Sequence, residues 1–167
     1  MEKQNVNCDL VVNFYDKIKS GELPRIFEAT LPIAIIQKTL FSNSEEYFKE
    51  HFGILTSEVD VLAALYTHSG TLTPTQLYDL TIFSSGGMTK VLKRLEERNY
   101  IYRKQDEKDR RCMLVCITKD GEDLIKKALD GISKECELYF ATLSKDELSM
   151  LNVLLKKVLY SLNSVSK

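Results

Sequence analysis

Residues 84–111 read SSGGMTKVLKRLEERNYIYRKQDEKDRR, and their hydrophobic period changes partway along. Met88, Val91, Leu92 and Leu95 recur at spacings of three and four, which puts them on one face of a helix. Thr89, Lys90, Lys93 and Arg94 fall on its other faces. A hydroxyl from Ser84 or Ser85 is placed to cap the first amides, and Asn99 ends the helix because Asn tolerates the left-handed conformation a stop requires. Beyond Asn99 the period becomes two. Residues 100–105 and 112–118 are rich in aromatic, aliphatic and β-branched side chains and flank the polar segment DEKDRR, so they predict a β-hairpin.

Two further helices precede this unit. Thr73-Pro74-Thr75-Gln76 offers a capping Thr, a proline at the first helical position and a Gln at the third, a capping box that opens a short helix running to about Leu80. Before it, Thr56 or Ser57 is the expected cap of a helix with Val59, Leu62, Ala63 and Tyr66 on its apolar face, stopped near Gly70. Three short helices followed by a hairpin, over residues 57–118, have the order of a winged helix-turn-helix, whose last helix enters a DNA major groove.

The chemistry of residues 84–111 suits that placement. Nine basic residues (Lys90, Lys93, Arg94, Arg98, Arg103, Lys104, Lys108, Arg110, Arg111) stand against five acids (Glu96, Glu97, Asp106, Glu107, Asp109), although the whole chain carries a net charge of only -1. Ser84, Ser85 and Gly86 bring small side chains and backbone donors to a helix N-terminus, where phosphate can approach closely. Thr89, Lys90, Lys93 and Arg94 then reach bases or phosphates. At the hairpin tip Lys108, Arg110 and Arg111 are cations on a narrow projection, suited to a minor groove. Asp106 and Asp109 are expected to fix the loop, one of them holding an Arg in a bidentate pair while another Arg meets DNA. Taken alone, the basic helix fits a solvated face better than a DNA contact, and the tip fits a charged surface turn equally well. Their position within the larger unit favours DNA.

The remaining segments read as helices. Residues 9–20 form a short one ended by Ser20-Gly21. An apolar segment at about 23–41 is interrupted by Pro32, which is expected to kink or restart it. Thr118 caps a helix with Leu124, Ile125, Ala128, Leu129, Ile132, Cys136, Tyr139 and Phe140 as its stripe. Ser144-Lys145-Asp146-Glu147 is a second capping box, opening a final helix striped by Leu148, Leu151, Leu155, Val158 and Leu162 with Leu154 and Leu159 beside them. The fold class is therefore mainly α with a small hairpin wing. One domain is expected over the 167 residues: N-terminal helices at 1–52, a DNA-binding lobe at 53–121 and C-terminal helices at 122–167. No apolar run approaches the roughly 18 residues of a membrane span, and the first residues do not resemble a secretory signal, so a cytoplasmic protein is expected. The four cysteines lack paired CxxC spacing and the two histidines are isolated, giving no metal or cofactor site. No nucleophile–base pair or phosphate loop points to an enzyme.

Residues 56–124, about two-fifths of the chain, resemble the MarR family of bacterial regulators. The resemblance is carried by TSEVDVLAAL, LTPTQLYDLTIFSSGGMTKVLKRLEERNYIYR, DEKDRR and CITKDGEDL, in that order and at family-like spacing. Asn99 stands where the family usually has Gly, and Lys108 where many members have Arg, which leaves open which wing cation enters the groove. The resemblance implies a homodimer with interlocked N- and C-terminal helices, its recognition helices roughly 34 to 36 Å apart on pseudopalindromic operator DNA. The stripe at Leu148, Leu151, Leu155, Val158 and Leu162 has the spacing of a packed seam. The resemblance also implies a small aromatic or lipophilic effector, for which Phe27, Ile33, Phe41, Phe48, Phe52, Leu62 and Tyr66 are the candidate lining and plain core the competing reading. Thiol oxidation is a second possible signal, with Cys8 in a polar stretch as its candidate and Cys112 and Cys116 expected to be packed on one strand face. A helical protein-interaction module that does not bind DNA is the alternative of another class.

Overall fold

A computed structural model describes residues 8–81, 85–107, 109 and 111–165. The chain runs α1 (Cys8–Lys19), α2 (Phe27–Phe52), α3 (Thr56–Thr67), β1 (Thr71–Leu72), α4 (Pro74–Leu80), α5 (Ser85–Glu97), β2 (Ile101–Gln105), β3 (Met113–Ile117), α6 (Lys119–Phe140) and α7 (Lys145–Val165). It divides into two compact units, residues 1–128 and 129–167, with the boundary inside α6. The mainly helical class with a β wing is thus what the chain adopts.

Within the first unit, α1 and α2 meet at an edge-to-face pair of Phe14 and Phe27, with ring centroids 5.8 Å apart. Of the kink or restart expected at Pro32, the restart does not occur: α2 continues through Pro32 and runs on to Phe52. Proline removes the amide that would bond to the Glu28 carbonyl, and the Tyr15 hydroxyl of α1 donates to that carbonyl at 3.2 Å. The second half of α2, beyond the apolar segment read at about 23–41, is polar and rich in helix formers (Glu45, Glu46, Lys49, Glu50). Gly53 ends it at φ 62, its amide bonding back to Lys49.

The expected cap of α3 at Thr56 or Ser57 falls one or two positions later than the structure places it. Leu55 is the N-cap, and its amide donates to the Glu58 carboxylate at 2.7 Å. Ser69 and Gly70, both at positive φ, close the other end. At α4 the capping box forms as read: the Gln76 amide donates to Thr73 Oγ1 at 3.1 Å, and the Thr73 amide donates to Gln76 Oε1 at 2.9 Å.

The sheet has the order β1-β3-β2, antiparallel throughout. Strand β1 is only two residues long, too short to show an alternation, and it joins the hairpin through Thr71 opposite Cys116 and Leu72 opposite Val115. Cys116 is buried on β3, whereas Cys112 lies ahead of that strand and is only partly buried, so the two do not share the expected strand face. The core of this unit gathers Leu62 and Leu65 from α3, Leu77 from α4, Leu95 from α5, Ile101 and Val115 from the sheet and Ile125 from α6, all 2% exposed or less.

Thr118 joins the wing to α6 as expected. Its hydroxyl accepts the Gly121 amide at 3.1 Å and donates to the Asn99 carbonyl at 2.8 Å. In the second unit, the Ser144 amide donates to the Glu147 carboxylate at 2.8 Å and the Glu147 amide to Ser144 Oγ at 3.3 Å, completing the second capping box. The hydrogen bonds from the Ser144 backbone and then its hydroxyl hold the Glu147 carboxyl below its ordinary pKa. No helix among the described residues is long and apolar enough to cross a membrane.

Candidate nucleic-acid interface

Helix α5 is set into the molecule by its apolar face. Met88 is 6% exposed, Val91 7%, Leu92 3% and Leu95 0%, so the face read from the spacing is fully committed to the core. Thr89, Lys90 and Lys93 on the remaining surface are exposed. Lys93 Nζ lies 3.7 Å from Glu97 one turn on, an exposed i,i+4 pair contributing a few tenths of a kcal/mol and easily exchanged for another anion. Ser85 and Gly86 open α5, while Ser84 lies outside the described residues. Asn99 takes φ 59, as its stop position requires.

The cations do not form one uniform patch. Arg98 donates from Nη1 to the Gly53 carbonyl at 3.0 Å and sits 5.0 Å over the Tyr100 ring, tying the end of α5 to the end of α2. Arg103 of β2 pairs with Glu96 at 3.3 Å, bracing the wing against α5. Arg94 Nε lies 3.5 Å from Oε1 of Glu58, a carboxylate with no exposed surface at all. Glu58 carried no signal in the sequence, since an acid in the first turn of a helix is ordinarily a solvated partner of the dipole. Its burial becomes visible only when α3 and α5 are packed together.

At the wing, the Asp106 amide donates to the Cys112 carbonyl at 3.0 Å and the Cys112 amide to the Asp109 carbonyl at 2.8 Å. Asp109 Oδ1 accepts the Arg111 backbone amide at 3.0 Å. Asp109 therefore holds the loop through the Arg111 main chain, whereas the bidentate Asp–Arg pair expected from the sequence involves a segment whose Arg110 lies outside the described residues. Arg111 is exposed, as is Lys104 of β2, a wing cation not among the expected contacts. Lys108 and Arg110 lie outside the described residues.

The candidate effector lining is mixed in burial. Phe48 and Leu62 are core at 4% and 0% exposure, Phe27 and Phe52 are partly buried, and Ile33, Phe41 and Tyr66 are exposed. The second unit has an open groove of about 560 Å³, lined by Phe140, Leu148, Leu151 and Leu155 with Lys145, Ser149 and Asn152.

Three helices, the last presenting a basic outer face, followed by a braced wing define a winged helix-turn-helix transcriptional regulator that binds DNA. A family model described as MarR family matches residues 52–111. An HTH-type transcriptional regulator of Bacillus cereus is 32% identical over 129 residues, covering 75% of this chain and 84% of its own. The chain belongs to the MarR family of transcriptional regulators. Apo wild-type MarR from E. coli shares the fold at a TM-score of 0.69 and 23% identity, over 82% of this chain and 97% of its own. BpsR of Bordetella bronchiseptica, whose DNA binding is regulated by 6-hydroxynicotinic acid, shares it at a TM-score of 0.61 and 21% identity, over 76% and 98% of the two chains.

Proposed function

We propose that the protein acts as a homodimer on pseudopalindromic operator DNA and is released or modulated by a small aromatic or lipophilic ligand. The observation that carries the DNA reading is the division of α5: its apolar face is spent on the core, which leaves Thr89, Lys90, Lys93, Arg94 and Glu97 exposed, three cations against one acid. The dimer reading rests on α7, where Leu148 (45%), Leu155 (44%), Val158 (52%) and Leu162 (58%) are exposed along one face. A soluble monomer rarely leaves so continuous an apolar stripe in water. The effector reading rests on the likeness to BpsR and on family membership.

Selecting bound fragments from the source genome's DNA tests this directly. The expected result is a pseudopalindrome with half-sites one helical turn apart; fragments without a shared site would reject the reading. An aromatic acid such as 6-hydroxynicotinic acid, titrated into the complex, is the first effector probe. At the wing, Arg111→Ala is expected to weaken binding to the selected duplex by about tenfold, the value of one charge-assisted contact, while the dimer persists in sedimentation. Unchanged affinity would remove Arg111 from the interface.

A further inference from the structure

Glu58 has two carboxylate oxygens with different duties. Oε2 accepts the Leu55 amide at 2.7 Å, the reciprocal half of a helix cap. A neutral Gln at the third position caps equally well, as Gln76 does for α4. Capping therefore explains the oxygen but not the charge, and a charge at 0% exposure is costly unless it is paired. Oε1 has no hydrogen-bond partner and faces Arg94 Nε at 3.5 Å. The feature left unexplained is a buried negative charge aimed at one arginine of α5.

Arg94 itself is half exposed, with 49% of its side chain open to solvent. Its contact to Glu58 is made through Nε, and the terminal amino groups carry the guanidinium's remaining donors. On the helical wheel Arg94 stands about 110° from the centre of the buried face, whereas Lys90 and Lys93 stand about 150° away. Helix flanks, unlike the outermost line, meet the walls of a groove that the helix enters, and those walls are phosphates.

We infer that Glu58 is a positioning residue for DNA binding: from the buried start of α3 it holds Arg94 by the Nε side, so that the terminal amino groups are set to take a backbone phosphate. The inference rests on the DNA-binding reading above. An arginine fixed in this way loses less side-chain freedom on binding than a free one, and the planar fork makes the two duties compatible where a lysine's single ammonium does not.

The test uses the full-length protein, the duplex selected by the wild type, and three proteins: wild type, Glu58→Gln, and Glu58→Gln with Arg94→Gln. Neither variant leaves a buried charge unpaired, and thermal melts accompany each binding series. Glu58→Gln is expected to melt cooperatively near wild type, to bind about tenfold more weakly, and to show a salt dependence shallower by about one phosphate contact. The double variant is expected to add little to that loss. The salt slope is the readout that a purely structural role would not move. Wild-type affinity and slope in Glu58→Gln would overturn the inference, as would wild-type binding by the double variant. A much larger loss in the double variant than in Glu58→Gln would also overturn it, because Arg94 would then act without Glu58. Loss of a cooperative melt in Glu58→Gln would assign the charge to folding and overturn it too. If the wild type itself selects no duplex, the DNA-binding reading fails instead.

Discussion

Replacing Leu155 and Leu162 together by glutamate is expected to abolish the proposed dimer, leaving a monomer at micromolar concentration. Both lie on the α7 face that also carries Leu148, Leu151 and Val158, a set confined to an arc of about 80° on the wheel. At 44% and 58% exposure, neither is committed to the core of its own chain. In a symmetric dimer each substitution counts twice, and each buried leucine contributes roughly 1.5 to 3 kcal/mol. Since about half of each side chain is already covered within its own chain, the four lost side chains remove roughly 3 to 6 kcal/mol, about a 10²- to 10⁴-fold rise in dissociation constant, before the glutamates add their own desolvation cost. Because the substituted positions are exposed within the chain, helix content by circular dichroism is expected to stay high while sedimentation reports the monomer. A dimer of wild-type strength would remove α7 from the interface. Affinity for the two-half-site duplex should fall with the dimer, since each monomer then holds only one half.

The second large effect is on stability. Gly121→Ala is expected to destabilise the protein although the position is helical, where Ala ordinarily gains about 1 kcal/mol over Gly. A Cβ at Gly121 would stand 2.2 Å from the Tyr100 carbonyl oxygen and 2.9 Å from Ile117 Cγ1. The isoleucine can turn aside, but the carbonyl is held: it accepts the Thr118 amide at 3.0 Å. Thr118 in turn bonds the Asn99 carbonyl and the Gly121 amide, so the end of α5, the wing and the start of α6 converge on this joint. Moving the backbone apart is expected to cost about 2 to 3 kcal/mol net, or about 6 to 10 °C in melting temperature for a chain of this length. An unchanged or raised melting temperature would contradict the close approach of α6 to the wing.

Wherever a local rule sufficed, the sequence carried the fold. The capping boxes at Thr73 and Ser144, the stop at Asn99, the cap at Thr118 and the buried face of α5 each depend on residues within a turn or two of one another. They fold as the spacing implies. What escaped depends on distant partners. Pro32 does not restart its helix because α1 supplies Tyr15 for the orphaned carbonyl. Strand β1 exists only because β3 lies beside it. The α3 cap slipped to Leu55 because the acid at Glu58, rather than a hydroxyl, completes the first turn. The candidate site divides along the same line. Spacing alone marked Lys90 and Lys93 as outward, but it could not separate them from Arg98 and Arg103, which brace the structure, or find the buried partner of Arg94. The aromatic candidates for an effector lining were harder still, because helical spacing selects core and pocket residues alike. Phe48 and Leu62 prove to be core.

The central claim is that the outward face of α5 binds DNA through its cations. Affinity for the selected duplex, measured between low and physiological salt for the wild type and for Lys90→Ala with Lys93→Ala, tests it most directly. The account predicts a steep linear fall of log affinity with log salt in the wild type. It predicts that the double variant, with an unchanged melting temperature, binds at least about tenfold more weakly and with a slope shallower by about one to two. A salt-insensitive wild type, or a double variant with wild-type affinity and slope, would contradict it.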